Sequence, residues 1–296
     1  MLNVQIKGDT RIYGVIGDPI AHTFSPEIHN SVFKALGENA VYIPLHVKLE
    51  SLSEAVKGAA ALGFKGLNVT LPHKINIIPH LTSLDSEAAL IGAVNTVRFS
   101  EGEIKGYNTD IIGVEYTFKT RGLSLKGRTC LLLGAGGAAD AVLCALLKAE
   151  AKKIYIANRT VEKAQALKER LNPHFNSEII ALSLSSAAEL KGVDTVLNTT
   201  TLGFEGKTDL TPLPKAFFDS NDVEICFDAI YTPWQTRLLK EAEEAGASCI
   251  NGFDMLIFQG AASEEIWQDR KFDYEFLKSL NSELKEHYKK SKGIKK

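Results

Sequence analysis

The sequence has little of several things, and each shortage excludes something. Its 296 residues include four cysteines, at positions 130, 144, 226 and 249, with no Cys-x-x-Cys spacing. That excludes a disulfide framework and a thiolate zinc site, and their apolar neighbours describe buried, reduced thiols of a cytoplasmic protein. There is no excess charge of either sign: 34 Lys and Arg stand against 36 Asp and Glu. A nucleic-acid or anionic-membrane partner needs a basic surface, which this balance does not supply. The one like-charge cluster, Lys289-Lys290 with Lys292, Lys295 and Lys296, reads as a solvated end. No apolar run follows Met1 to mark a signal peptide. One stretch resembles a membrane span, Cys130 to Leu147, but three glycines and Asp140 interrupt it. There is no internal repeat, no low-complexity segment and no G-x-S-x-G nucleophile setting. No carboxylate cluster or Cys–His pairing offers a metal site, and His22, His29 and His73 read as loop or cap residues.

What is present is alternation. Short apolar runs of strand length are followed by helical segments from Ile12 to Thr120, and again from Cys130 to Ile250. Strands at Ile12–Ile16, Val41–Val47 and Gly66–Thr70 alternate with helices at Pro26–Leu36 and Leu52–Leu62, the first capped by Ser25. Ala93–Phe99 and Glu103–Tyr107, joined by Ser-Glu-Gly, read as a hairpin. This pattern implies parallel-rich sheets covered by helices, in two α/β domains. The expected division is 1–112, 113–250, and a helical end at 251–296 that packs back on the first domain.

The second series opens on Cys130-Leu-Leu-Leu133 followed by Gly134-Ala135-Gly136-Gly137-Ala138-Ala139. Strand, glycine turn and helix in that order place free N–H groups and a helix dipole where a pyrophosphate binds. The spacing is G-x-G-x-x-A, and alone it is a weak signal, because such turns also take glycine for steric reasons. The next strand, Ile154–Ala157, ends in Asn158-Arg159-Thr160 with Lys163 beyond, and carries no carboxylate to meet a ribose hydroxyl. A guanidinium there suits a 2′-phosphate. Thr160 is also placed to cap the following helix.

In the first domain the polar residues gather at strand ends. Thr23 and Ser25 sit in the loop after the first strand, Asn68, Thr70 and Lys74 after the third, and Asn95, Thr96, Asn108, Thr109 and Asp110 around the hairpin. Strand ends are where open α/β sheets bind ligands. Asn68 shares one side with Thr70 inside a run of buried character, so it needs a partner, and a hydroxylated ligand is one candidate. A set of hydroxyls and amides with one Lys/Asp pair suits a polyhydroxy acid.

Together these residues resemble the shikimate dehydrogenase family, in order and through most of the chain. The matching motifs are Asp18-Pro19…His22-Thr23-Phe-Ser25-Pro26…His29-Asn30, Asn68-Val-Thr70-Leu-Pro72-His-Lys74, Gly92-Ala-Val-Asn95-Thr96 and Gly106-Tyr-Asn108-Thr109-Asp110. The glycine turn, Asn158-Arg159-Thr160, Asp228…Tyr231-Thr-Pro233 and Gly252-Phe-Asp-Met255-Leu256…Gln259 complete the set. The resemblance implies a substrate domain with a mixed, mostly parallel sheet and a Rossmann-type NADP domain, with a cleft between them. It implies reversible NADPH-dependent reduction of 3-dehydroshikimate to shikimate, in the pathway to aromatic amino acids. Lys74 and Asp110 would be the catalytic pair, and Thr23, Ser25, Thr70, Asn95, Tyr231 and Gln259 would line the substrate site with them. Gly134, Ala135, Gly136, Gly137, Ala138, Asn158, Arg159, Thr160, Lys163 and Gly252 would hold NADP. The partner is a small molecule, with no nucleic acid and no membrane, for a monomer or homodimer.

Three positions depart from the family pattern. Thr23 replaces the usual first serine of Ser-x-Ser and adds a methyl group, which bears on related substrates such as quinate. Lys163 stands where arginine is common, and it cannot make two-pronged phosphate contacts. Phe204, after Asn198-Thr-Thr…Gly203, stands where methionine is usual, near the expected nicotinamide. A quinate/shikimate dehydrogenase that also uses NAD is therefore the alternative reading.

Overall fold

A computed structural model describes residues 6–21, 23–175 and 177–294. His22 of the first polar loop, and Lys295 and Lys296 of the tail, lie outside the described residues. The first series runs β1 (Arg11–Gly17), α1 (Ser25–Leu36), β2 (Ala40–His46), α2 (Leu52–Ala61), β3 (Gly66–Val69), α3 (His73–Asn76), β4 (Ser83–Leu84), α4 (Ser86–Ile91), β5 (Thr96–Ser100), β6 (Glu103–Tyr107) and α5 (Asp110–Lys119). The second runs β7 (Thr129–Leu133), α6 (Gly137–Lys148), β8 (Lys153–Asn158), α7 (Val161–Leu171), β9 (Glu178–Ser183), α8 (Leu184–Ala187), β10 (Thr195–Asn198), α9 (Lys215–Asp219), β11 (Ile225–Asp228), α10 (Arg237–Glu244) and β12 (Ser248–Asn251). Two helices follow, α11 (Phe253–Gln268) and α12 (Tyr274–Ser291). Contacts divide the chain into one unit of residues 1–113 with 257–287 and another of 114–256 with 288–296, so the division falls inside α5, α11 and α12.

In the first unit the strand order is β2-β1-β3-β5-β6-β4. β1 pairs in parallel with β2 and β3, and β5 pairs antiparallel with β3 and β6. The hairpin forms because Gly102 takes a φ of 73° that other residues resist. Period-two alternation sends Ile16 of β1 to a core with Leu52 and Val56 of α2, and Tyr13 and Val15 to the opposite core with Phe33, Tyr42 and Trp267. α11 approaches the sheet closely at Gly66, where a Cβ would lie 2.2 Å from the Trp267 ring nitrogen. That nitrogen donates to the Val97 carbonyl at 2.9 Å.

In the second unit all strands are parallel, in the order β9-β8-β7-β10-β11-β12. This is the doubly wound arrangement, whose chain direction across the sheet reverses between β7 and β10. The central strands β7, β10 and β11 are buried on both faces, as the unbroken apolar run Cys130–Leu133 predicts.

Candidate active site

The polar strand ends of the first unit converge on Asp110. Its backbone N–H bonds to Asn108 Oδ1 at 3.1 Å, where α5 begins, and a helix start favours a carboxylate. Asp110 Oδ2 receives Lys74 Nζ at 2.5 Å, and Oδ1 receives Asn95 Nδ2 at 2.9 Å. Lys74 comes from α3 beyond β3, and its carbonyl accepts the Val94 N–H at 2.8 Å. That bond sets α3 beside the loop carrying Asn95, and it is one reason β5 starts at Thr96 rather than Ala93. Gln259 of α11 places Oε1 3.4 Å from Asn95 Nδ2. Thr70 follows β3 directly, and its N–H reaches the Ile16 carbonyl at 3.0 Å. The Lys74 and Asp110 side chains keep 22 % and 10 % exposure, enough for a ligand to reach them. An ammonium held by a carboxylate among hydroxyls and amides can pass a proton to a ligand oxygen.

Thr23 and Ser25 also come together, with hydroxyl oxygens 3.1 Å apart. Ser25 does not cap α1 as the spacing predicts. It is the first helical residue, and its own N–H donates to Thr23 Oγ1 at 3.2 Å. His29 and His73 are likewise not loop or cap residues. His29 is fully buried within α1, stacked on Tyr42 and 2.6 Å from Glu264 Oε1, because its ring fills the core between α1 and α11. His73 is buried in α3 and bonds the Val47 carbonyl at 2.7 Å. Asn68 finds its partners in the protein rather than in a ligand: Tyr42 on its oxygen, Ser263 and Thr96 on its nitrogen.

In the second unit the glycines of the turn after β7 separate into two kinds. Gly134 has a φ of 107°, and a Cβ there would stand 2.5 Å from Thr199 Oγ1, so packing alone demands glycine. Gly136 and Gly137 have nothing within 4 Å of a Cβ, so packing does not demand them. They open the 12-residue helix α6, and among the described residues no acceptor meets the N–H groups of Gly136, Gly137 and Ala138. Ala139, the third position of the motif, is fully buried. The residues present therefore fit a dinucleotide pyrophosphate. At the end of β8, Asn158 turns its amide onto the Thr160 carbonyl at 2.8 Å. Arg159 and Lys163 are exposed, and among the described residues neither has a carboxylate partner. Thr160 occupies the cap position of α7 without a side-chain cap bond, contrary to the reading of it as a capping hydroxyl. Gly252 is required by packing, since a Cβ would lie 2.0 Å from the Ala229 carbonyl oxygen.

Tyr231 also belongs to this unit. Its ring meets Phe253 and Tyr288 edge-on, and burial pushes its hydroxyl pKa up. Phe204 is exposed. Asp228 ends β11 fully buried, taking bonds from Asn198 at 3.0 Å, Ile230 N–H at 3.1 Å and Thr236 at 2.6 Å. Burial pushes its carboxyl up to about 6 despite those donors.

Sequence reasoning passed over Tyr42 and Ser263, both buried among the polar groups of the first unit. The one available signal was spacing: Ser263 lies four residues after Gln259, on the same helix face. Among the described residues, no group of three or more His, Cys, Asp or Glu is placed to hold a metal ion, and no helix is long and apolar enough to cross a membrane.

Known proteins are similar to this chain over nearly all of its length. Residues 15–97 match the shikimate dehydrogenase substrate binding domain, and residues 117–202 match shikimate / quinate 5-dehydrogenase. A shikimate dehydrogenase (NADP(+)) of Methanocaldococcus jannaschii is 42% identical over 93% of this chain and 97% of its own. The solved chorismate mutase/shikimate 5-dehydrogenase fusion protein from Clostridium acetobutylicum superposes with a TM-score of 0.86 at 36% identity, covering 94% of this chain and 98% of that one. Shikimate 5-dehydrogenase from Listeria monocytogenes, solved with shikimate and NAD, also gives 0.86, at 32% identity over 93% and 98%. Two domain matches in the order of the two α/β series, and relatives aligned over nearly the whole chain, place this protein in the shikimate dehydrogenase family.

Proposed function

We propose that this chain reduces 3-dehydroshikimate to shikimate, reversibly and with NADPH, for aromatic amino acid biosynthesis. The observation that carries the reading is the Lys74–Asp110–Asn95 cluster at the strand ends of the first unit. Bound NADPH supplies the hydride, and the glycine turn, Arg159 and Lys163 are the residues that would hold it. As the ketone carbon is reduced, its oxygen gains negative charge and takes a proton from the Lys74 ammonium. Asp110 orients that ammonium and accepts a bond from a substrate hydroxyl. Thr23, Ser25, Thr70, Asn95, Tyr231 and Gln259 supply further donors and acceptors for a polyhydroxy acid. The same groups work in reverse, with neutral Lys74 accepting the proton from the alcohol.

The deciding assay follows NADPH formation with shikimate and NADP, beside quinate and NAD in all combinations. Turnover is expected to be fastest with shikimate and NADP. Absence of shikimate turnover with either cofactor overturns the reading. Comparable rates with quinate or NAD would favour the dual-specificity alternative, to which Thr23 and Lys163 point.

A further inference from the structure

A buried chain of hydrogen bonds runs from Tyr42 to the Lys74–Asp110 pair of the first unit. Tyr42, in β2, donates to Asn68 Oδ1 at 2.7 Å. Asn68 Nδ2 lies 2.9 Å from Ser263 Oγ and 3.0 Å from Thr96 Oγ1. Ser263 Oγ lies 2.8 Å from Thr96 Oγ1 and donates to the Gln259 carbonyl at 3.0 Å. Thr96 donates to Asn95 Oδ1 at 3.0 Å, and Asn95 Nδ2 reaches Asp110, which holds Lys74.

Backbone groups of fixed polarity set both amides in this chain. The Thr109 N–H can only donate, and it points at Asn95 Oδ1 at 2.8 Å, so Nδ2 faces Asp110. The Asn95 carbonyl can only accept, and it lies 3.1 Å from Asn68 Nδ2, so Oδ1 of that amide faces Tyr42. Tyr42, Asn68, Thr96 and Ser263 are each no more than 6 % exposed. Low local dielectric makes such bonds stiff and makes an unmet partner costly. Ser263 is the hub: a single oxygen ties β3, β5 and α11 together.

We propose that Ser263 and Tyr42 are positioning residues for the reaction. Without touching the substrate, they hold the Asn95–Asp110–Lys74 cluster in place through Asn68 and Thr96. The proposal rests on the reading of this site as a shikimate site. Loss of Ser263 loosens the proton-transfer groups directly, and loss of the Tyr42 hydroxyl loosens them through Asn68.

The test uses the full-length enzyme with Ser263→Ala, Tyr42→Phe and a control, Val32→Ala, in the same unit and outside the chain. Ser263→Ala is expected to lower kcat for shikimate oxidation about 10-fold or more, as small misplacement of reacting groups does. The deuterium isotope effect on kcat should rise with it, while KM for NADP stays unchanged. Tyr42→Phe, one bond further from the cluster, is expected to lower kcat in the same direction by a smaller factor. Val32→Ala should lower the melting temperature and move none of these. Wild-type kcat, KM and isotope effect in both hydroxyl variants overturn the proposal. A second measurement needs no turnover: the rate of Lys74 acetylation, read by mass spectrometry. It should change in Ser263→Ala but not in Val32→Ala, and an equal rate in all three proteins counts against positioning. If the wild type leaves shikimate untouched, the functional reading fails, and the acetylation rates still decide the role of Ser263.

Discussion

Lys74, Arg159 and Asp228 each carry a separate prediction at the scale of one residue. General acid–base groups contribute ~10²–10⁴-fold, so Lys74→Ala should lower kcat by about that factor. Retained turnover would remove Lys74 from the chemistry. Arg159 presents an exposed guanidinium without a carboxylate partner among the described residues, so Arg159→Ala should collapse the NADP-over-NAD ratio of kcat/KM. An unchanged ratio refutes its phosphate role. Asp228 concerns stability instead. With its carboxyl held up at about 6, the folded state binds the extra proton between the ordinary carboxylate range and that value. Stability from this group is therefore greatest below about pH 4 and is lost as pH rises to about 6, by roughly 3 kcal/mol. Melts of wild type and Asp228→Asn across that window should show a gap that changes with pH. A constant gap would show that Asp228 does not titrate there.

Among the elements, the turn between β7 and α6 separates packing from binding. Gly134→Ala meets both a φ of 107° and the Thr199 side chain, and should destabilise the protein by about 1–3 kcal/mol. Gly136 has a φ of −107° and open space around its Cβ, so Gly136→Ala should leave the melting temperature unchanged and weaken NADP binding. Calorimetry on both variants checks the pair, and weakened stability in Gly136→Ala would contradict it. Much of this level was legible in the sequence. Apolar runs such as Cys130–Leu133 and the glycines that end them act locally, and so do the Ser-Glu-Gly turn and the period-two alternation of β1. What escaped the sequence depends on distant partners. Asn68 and Ser263 are 195 residues apart, and nothing near Asn68 shows that its amide is already satisfied. His29 looked like a loop residue because its partner, Glu264, lies 235 positions on. Ser25 has the right spacing for a cap, but Thr23, two residues earlier, takes that work.

At the scale of the whole molecule, most residues proposed to hold substrate fall in the first unit and those proposed to hold NADP fall in the second, with Tyr231 the exception. Loss of the proton donor should therefore leave cofactor binding intact. Lys74→Ala should keep the NADP-induced rise in melting temperature, which reflects about 2.7 kcal/mol at a hundredfold excess over Kd. Loss of that rise would show that the two halves of the chemistry are not separable. The same division gives the molecule two optical reporters. It has two tryptophans, Trp267 in the first unit and Trp234 in the second. Trp267 is buried with its ring nitrogen bonded, so it should emit at short wavelength, whereas Trp234 is partly exposed beneath the Lys289 ammonium, 4.8 Å from its ring centroid. In Trp234→Phe the remaining fluorescence would then follow the substrate half alone through a denaturant titration, without any added label.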